Sequence, residues 1–224
     1  SSMGDVYRVQ RQFEQALALY QQALPLKRAV GDPREEAITL SSMGDVYRVQ
    51  RQFEQALAFY QQALPLFRAV GDPREEAITL SSMGDVYRVQ RQFEQALAFY
   101  QQALPLLRAV GDTRAEAFTL HSMGDMYRDQ RQFEQALEHL VTAIQLLSRA
   151  NAPYDLTQAL NSLADLLFTI AQVSDESHGI QIALGLLTQA EKFLHEIGDP
   201  LRDKETNMPL PQKLLAQVLK KRDE

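Results

Sequence analysis

A block of forty residues is written almost three times over, since Ser1–Leu40, Ser41–Leu80 and Ser81–Leu120 all open SSMGDVYRVQRQFEQALA. A period of this length marks a stack of like units, each covering the apolar face of its neighbour, and not a closed globule with one core. The first two blocks differ only at Leu19/Phe59 and Lys27/Phe67, and the next pair only at Phe67/Leu107, Pro73/Thr113, Glu75/Ala115 and Ile78/Phe118. A fourth, diverged copy starts at His121. The repeat therefore predicts one elongated domain whose function is binding through an extended surface.

Breakers fall at regular places within a unit. Gly71 reads as a left-handed residue closing one helix, Asp72 as the N-cap of the next, and Pro73 as its first residue, with Glu75 three beyond the cap. The same signal stands at Gly31-Asp32-Pro33 and Gly198-Asp199-Pro200. Between such signals the apolar spacing is helical: Ala37, Leu40, Met43, Gly44 and Tyr47 share one face, and Phe53, Leu57, Tyr60 and Leu64 the next. Each unit is then a helical hairpin, about Pro33–Val49 followed by Gln52–Val70, and the fold is all-α. A glycine inside a helix costs about 1 kcal/mol against alanine. Its return at Gly4, Gly44, Gly84 and Gly124 implies a close approach between the paired helices.

Met43, Gly44, Tyr47, Ala56, Tyr60 and Ala63 match in order and spacing the small-and-large signature of the tetratricopeptide repeat, which the chain resembles over nearly its whole length. The period is longer than the common one and is similar to the extended variants of Pins-type spindle-orientation adaptors and bacterial multi-repeat proteins. The resemblance implies an α-solenoid of stacked hairpins, wound as a right-handed superhelix with the first helices lining the concave face. Two departures stand out: Arg51 takes a turn position where the family usually has glycine, a strain of about 1 kcal/mol in a left-handed conformation, and Pro65 lies inside the second helix, as do Pro25 and Pro105.

These boundaries give a truncated first repeat at 1–32, full repeats at 33–72, 73–112 and 113–152, a degenerate repeat at 153–199 and a capping segment at 200–224. In the degenerate repeat Ala164-Asp165 stands for Gly124-Asp125, and about seven extra residues fall around Thr169–Gly179. Leu214, Leu215, Val218 and Leu219 give the last segment one apolar face. Ser1 lies halfway along a first helix, so Phe13, Leu17 and Tyr20 are expected to lack part of their cover. The chain reads as the C-terminal piece of a longer array, and an uncapped end predicts head-to-tail self-association.

Charge and composition narrow the function classes. The net charge is −6, from 23 basic and 29 acidic residues, and the acidic side chains alternate with arginines. Nucleic-acid binding needs a basic stripe, and none is written here. With no cysteine, a disulfide framework and a thiolate metal site are ruled out, and the composition suits a reducing, cytoplasmic setting. No apolar run reaches the ~20 residues that span a bilayer. His121, His139, His178 and His195 are scattered over the fourth and fifth repeats in no metal-ligating pattern; His121 and Asp125 share a helix face, but a third ligand is not evident. Without a histidine in the repeated units, the Ser41-Ser42 pairs have no base. The expectation is a non-enzyme with no cofactor and no metal.

A polar ladder is the candidate site. Asp5, Asp45, Asp85, Asp125 and Asp165 each follow the small residue by one, and Arg8, Arg48, Arg88 and Arg128 follow the aspartates by three. The resemblance places these residues in the concave groove, with Ser41, Ser81, His121 and Asn161 beside them. The family's carboxylate-clamp subgroup carries lysine, arginine and asparagine at such positions, so aspartate argues against that specificity. Regularly spaced carboxylates and guanidiniums can hold an extended peptide by its backbone amides and carbonyls. The competing reading is a solvated face whose one-turn Asp–Arg pairs contribute about 0.2–0.5 kcal/mol each. The expected function is a protein-interaction scaffold that takes a peptide or helical segment of a partner. Its alternatives are a self-assembling array, or a sensor arm of a larger protein.

Overall fold

A computed structural model of the protein describes residues 12–173 together with Gly4, Tyr7 and Gln10. Among the described residues the regular structure is wholly helical: α1 (Phe13–Val30), α2 (Pro33–Val49), α3 (Phe53–Ala69), α4 (Pro73–Val89), α5 (Phe93–Val110), α6 (Thr113–Asp129), α7 (Phe133–Arg149) and α8 (Pro153–Val173). They fall into two compact units, Ser1–Ala115 and Glu116–Glu224.

In the first unit the breakers act as the sequence predicts. Gly31, Gly71 and Gly111 have φ of 73°, 64° and 69°, the left-handed conformation glycine adopts without strain. The carboxylates of Asp32, Asp72 and Asp112 then accept the backbone N–H three residues on, at 3.1, 3.2 and 3.0 Å, satisfying a donor that the helix itself leaves open. Within each hairpin the turn is left-handed at Arg51 and Arg91, with φ of 61° and 60°. The Gln52 N–H donates to the Tyr47 carbonyl at 2.8 Å and closes the first of these turns. Pro25, Pro65 and Pro105 stand inside continuous helices and all are exposed. Water can reach the backbone carbonyl that each proline leaves without a donor.

Packing explains the recurrent glycine. A methyl group on Gly44 would sit 2.6 Å from Cε1 of Tyr60, and one on Gly84 2.5 Å from Cε1 of Tyr100. The aromatic ring of the second helix thus fills the space where a side chain would otherwise be. Around it Ala37, Leu40, Ala56, Ala63 and Phe67 are at most 1 % exposed, and Ala77, Leu80, Ala96, Ala103 and Leu107 repeat the arrangement one period later. Tyr20 departs from expectation: it is 3 % exposed because Gly4 lies over its ring, while Phe13 and Leu17 are half-buried.

Successive hairpins are braced by ion pairs between elements. Arg34 reaches the Asp72 carboxylate at 2.9 Å and Arg74 that of Asp112 at 2.7 Å, so each capping aspartate also ties its helix to the preceding hairpin. Arg28–Glu36 and Arg68–Glu76, both at 2.7 Å, repeat the theme at the other helix junction.

In the second unit α7 and α8 enclose Leu140, Ile144, Leu147, Leu160, Leu163, Leu166 and Leu167, each at most 2 % exposed. Arg131 and Asn151 take the left-handed positions, with φ of 61° and 49°. Helix α8 has 21 residues against 17 in α2, α4 and α6. The rest of the degenerate repeat and the capping segment at 200–224 lie outside the described residues.

Candidate functional site: the first-helix face

The ladder residues sit on α2, α4, α6 and α8: each aspartate directly follows the small residue, Gly44, Gly84, Gly124 or Ala164, and on the first three of these helices an arginine stands one turn beyond the aspartate. Their environments differ. Asp45 keeps 27 % of its side chain exposed, whereas Asp85 as a whole residue is only 6 % exposed. A uniformly solvated face, the competing sequence reading, therefore does not hold at Asp85.

Both carboxylates already have a hydrogen-bond donor. The Tyr60 hydroxyl donates to Asp45 Oδ1 at 2.8 Å and the Tyr100 hydroxyl to Asp85 Oδ1 at 2.8 Å. Burial, then the adjacent carboxylate, pushes each phenol well above its ordinary pKa, against the opposing pull of Arg48 or Arg88. The hydroxyls stay protonated and the aspartates act as acceptors. The same tyrosine that requires glycine on the facing helix thus ends on the aspartate beside that glycine.

Arg48 completes the network. Burial works against its charge, but the Tyr60 oxygen, the Asp85 carboxylate of the next hairpin and Asp45 together hold its pKa above the ordinary value. Its Nη2 lies 3.9 Å from Asp45, beyond hydrogen-bond range, so the one-turn pair is looser than the sequence suggests. Its Nε is buried and makes no hydrogen bond among the described residues. Tyr47 and Tyr87 lie nearby, stacked on Phe59 and Phe99 with ring centroids 5.3 Å apart.

The fourth copy is built differently. Leu140 replaces the tyrosine and packs against Gly124, where an added methyl would lie 2.6 Å from its Cγ. Asp125 receives no phenol. Arg128 Nη1 stands 3.0 Å from its Oδ1 and His121 Nε2 3.7 Å from its Oδ2. Even so, among the described residues Oδ1 is buried and accepts no hydrogen bond, its partner being the Arg128 charge. His121 Nε2 also meets Ser162 Oγ at 2.7 Å, joining α6 to α8. Serine and aspartate thus approach the same ring nitrogen, so this is not the relay of a hydrolytic triad, in which they occupy opposite nitrogens. Asn161 and Asp165 are exposed on α8, and Phe168 stands where an arginine would complete that rung. Asp5 and Arg8 lie outside the described residues.

Sequence reasoning found the Asp–Arg register but not the tyrosine donors. Among the described residues no group of three or more His, Asp or Glu side chains is arranged to hold a metal, and no helix is long and apolar enough to cross a membrane.

Residues 32–198 match the family model of the MalT-like TPR region, and residues 1–34 match that of the tetratricopeptide repeat. No curated protein matches the sequence. Among solved structures the chain is similar to BtubC from P. vanneervenii, at 19 % identity and a TM-score of 0.67, covering 88 % of this chain and 79 % of that one. It is also similar to a Rap protein complexed with Competence and Sporulation Factor, at 17 % identity and 0.66, covering 98 % and 62 %. A third similar structure is a kinesin light chain from Podosopora anserina with nearly identical TPR-like repeats, at 14 % identity and 0.62, covering 88 % and 94 %. At these identities the likeness concerns the fold.

Proposed function

Because the chain belongs to the family of MalT-like TPR regions, we propose that it is a non-catalytic scaffold that binds an extended or helical segment of a partner protein on its first-helix face. The observation that carries this reading is the return of polar side chains at one register of the first helices, taken unit by unit: Ser41, Asp45 and Arg48 on α2 in the first unit, and in the second His121 and Asp125 on α6 with Asn161 and Asp165 forty residues on along α8. Fixed spacing suits a partner whose backbone repeats along its length, and side chains anchored by packing lose little entropy when they bind. One of the similar structures is itself a complex, of a Rap protein with Competence and Sporulation Factor.

The test is selection from a random peptide display library, followed by hydrogen-exchange mapping of the recovered binders on the chain. Protection concentrated in α2, α4, α6 and α8 supports the scaffold. Protection confined to α3, α5 and α7 refutes the assigned face, and a concentration-dependent mass with no recovered binder favours the self-assembling array.

A further inference from the structure

We propose that the cationic ends of α2 and α4 take an acidic, aliphatic segment of the partner, with its carboxylates on Arg48, Arg51, Arg88 and Arg91 and its apolar side chains on Val49 and Val89. This rests on reading the first-helix face as the binding surface. Val49 and Val89 are the last residues of the two helices and are 51 % and 42 % exposed. Each stands one turn beyond a ladder aspartate, Asp45 or Asp85, and so continues the face that carries it. The fold does not require valine there, because the fourth copy ends its helix on Asp129 at the same position. Helices α2 and α4 touch each other, and Arg48 feels the Asp85 carboxylate of the next hairpin, so the two ends stand side by side within the first unit.

Charge decides the class of segment. On α4 the Asp85 carboxylate is buried and accepts from the Tyr100 hydroxyl, while Arg88 is only half-buried, so the charge that meets solvent is the guanidinium. On α2 Asp45 accepts from Tyr60, and Arg48 keeps 32 % of its side chain exposed. Arg51 and Arg91 follow the valines by two and are exposed, with the chain fixed there in a left-handed turn. Each valine is thus bracketed by two arginines. The next acidic residues along the chain, Glu54 and Glu94, open α3 and α5, where the positive helix end offsets their charge. The second unit supplies the contrast: Asp129 replaces the valine, and Arg128 stands 3.5 Å from it and 3.0 Å from Asp125. There the apolar contact is gone and the guanidinium meets two carboxylates of its own. A carboxylate beside an aliphatic side chain answers both features of the first unit, and its charge-assisted hydrogen bonds to guanidinium groups are stronger than those of a neutral acceptor.

The probe is a blocked peptide, Glu-Leu-Ser-Glu-Leu-Ser. Its Glu-Leu pairs recur every three residues, about 10 Å in an extended chain, which matches the roughly 8–10 Å between the axes of packed helices. The two controls exchange glutamate for glutamine, or leucine for serine. Each peptide is titrated into the full chain while amide chemical shifts are followed. The probe should shift resonances around Val49, Arg51, Val89 and Arg91, and either control should bind about tenfold more weakly. Val49→Asp/Val89→Asp, which writes the fourth-copy residue into both rungs, should weaken the probe by about tenfold or more while leaving the helical circular dichroism unchanged. Val49→Ser/Val89→Ser removes the apolar contact without adding charge and should cost about threefold or more, whereas Val110→Asp, at a valine on α5 that is 39 % exposed, should leave binding within about twofold. Binding that ignores both double variants overturns the proposal, as does the absence of any probe shift or equal binding of the glutamine control. These results leave the scaffold reading standing, since that is judged by the display selection, where protection confined to α3, α5 and α7 would refute the face itself.

Discussion

Tyr100→Phe removes a single oxygen, which donates to Asp85 and also accepts from the Arg88 side chain, and so probes the junction on which the ladder's architecture turns. The ring is fully buried against Gly84 and stays in place, so no hydrocarbon cavity opens. What is lost is the donor at 2.8 Å to a carboxylate that is itself only 6 % exposed. A hydrogen bond to a charged group contributes about 1.5–3 kcal/mol, and a buried acceptor left without its donor incurs the full desolvation cost. The loss at Tyr100 should therefore lie in the upper half of that range. Tyr60→Phe deletes the same bond to Asp45, whose side chain keeps 27 % exposure, and there water can take the donor's place. Its cost should be smaller, about 0.5–1.5 kcal/mol. Urea unfolding of the two variants, with the denaturant slope checked for constancy, measures the difference. A double-mutant cycle with Asp85→Asn then assigns the loss to the pair and not to the phenol alone. Equal losses at the two sites, or a Tyr100→Phe cost below about 0.5 kcal/mol, would refute the premise that burial sets the strength of each rung.

The alkaline limb of stability should report the same bonds. Burial and the carboxylates raise both phenol pKa values above the unfolded value of about 10. Their contribution is thus complete below about pH 10 and is lost as the pH rises beyond it towards the folded-state values. In a phenolate absorbance titration, wild type should show a lagging component that the Tyr60→Phe/Tyr100→Phe double variant lacks. Gly84→Leu should cost more than about 3 kcal/mol in thermal unfolding, because the first added carbon already stands 2.5 Å from a tyrosine ring pinned at its far end; a neutral result would show that the helix pair can open. Pro65→Ala should stabilise the protein by about 1–3 kcal/mol, restoring a backbone donor and improving helix propensity at an exposed position. A lower melting temperature for that variant would mean the proline shapes a contact that the core requires.

Hairpin limits were legible because the devices that set them are local: Asp72 bonds three residues on, and Arg51 takes the left-handed position between two periodic runs. The same holds for the glycine, since four occurrences at one phase can be counted without knowing what fills the gap. The tyrosine donors were not legible as such. Tyr60 and Asp45 lie fifteen residues apart on facing helices, and whether the hydroxyl reaches the carboxylate depends on how the helices cross, which an apolar period does not specify. The Arg34–Asp72 brace, thirty-eight residues apart, was hidden for the same reason. A signal did exist in the sequence: the copy that loses the tyrosine, at Leu140, is also the copy that exchanges serine for His121 beside the aspartate.

Near-identity among copies makes recurrence a poor guide to function, because duplication carries packing residues and binding residues forward together. Divergence is more informative once burial is known. The exchange of Phe67 for Leu107 occurs at fully buried positions and trades one core side chain for another. The exchange of Ile78 for Phe118 is of another kind: a half-buried aliphatic residue gives way to an aromatic one that is 45 % exposed. Burial gains nothing from it. Phe118 instead lies one turn before His121, and the two rings meet edge to face with centroids 6.5 Å apart. Two neighbouring changes thus touch each other on α6, beside an aspartate that faces Leu140 where the earlier copies have a tyrosine, and neither is required by the packing of the core.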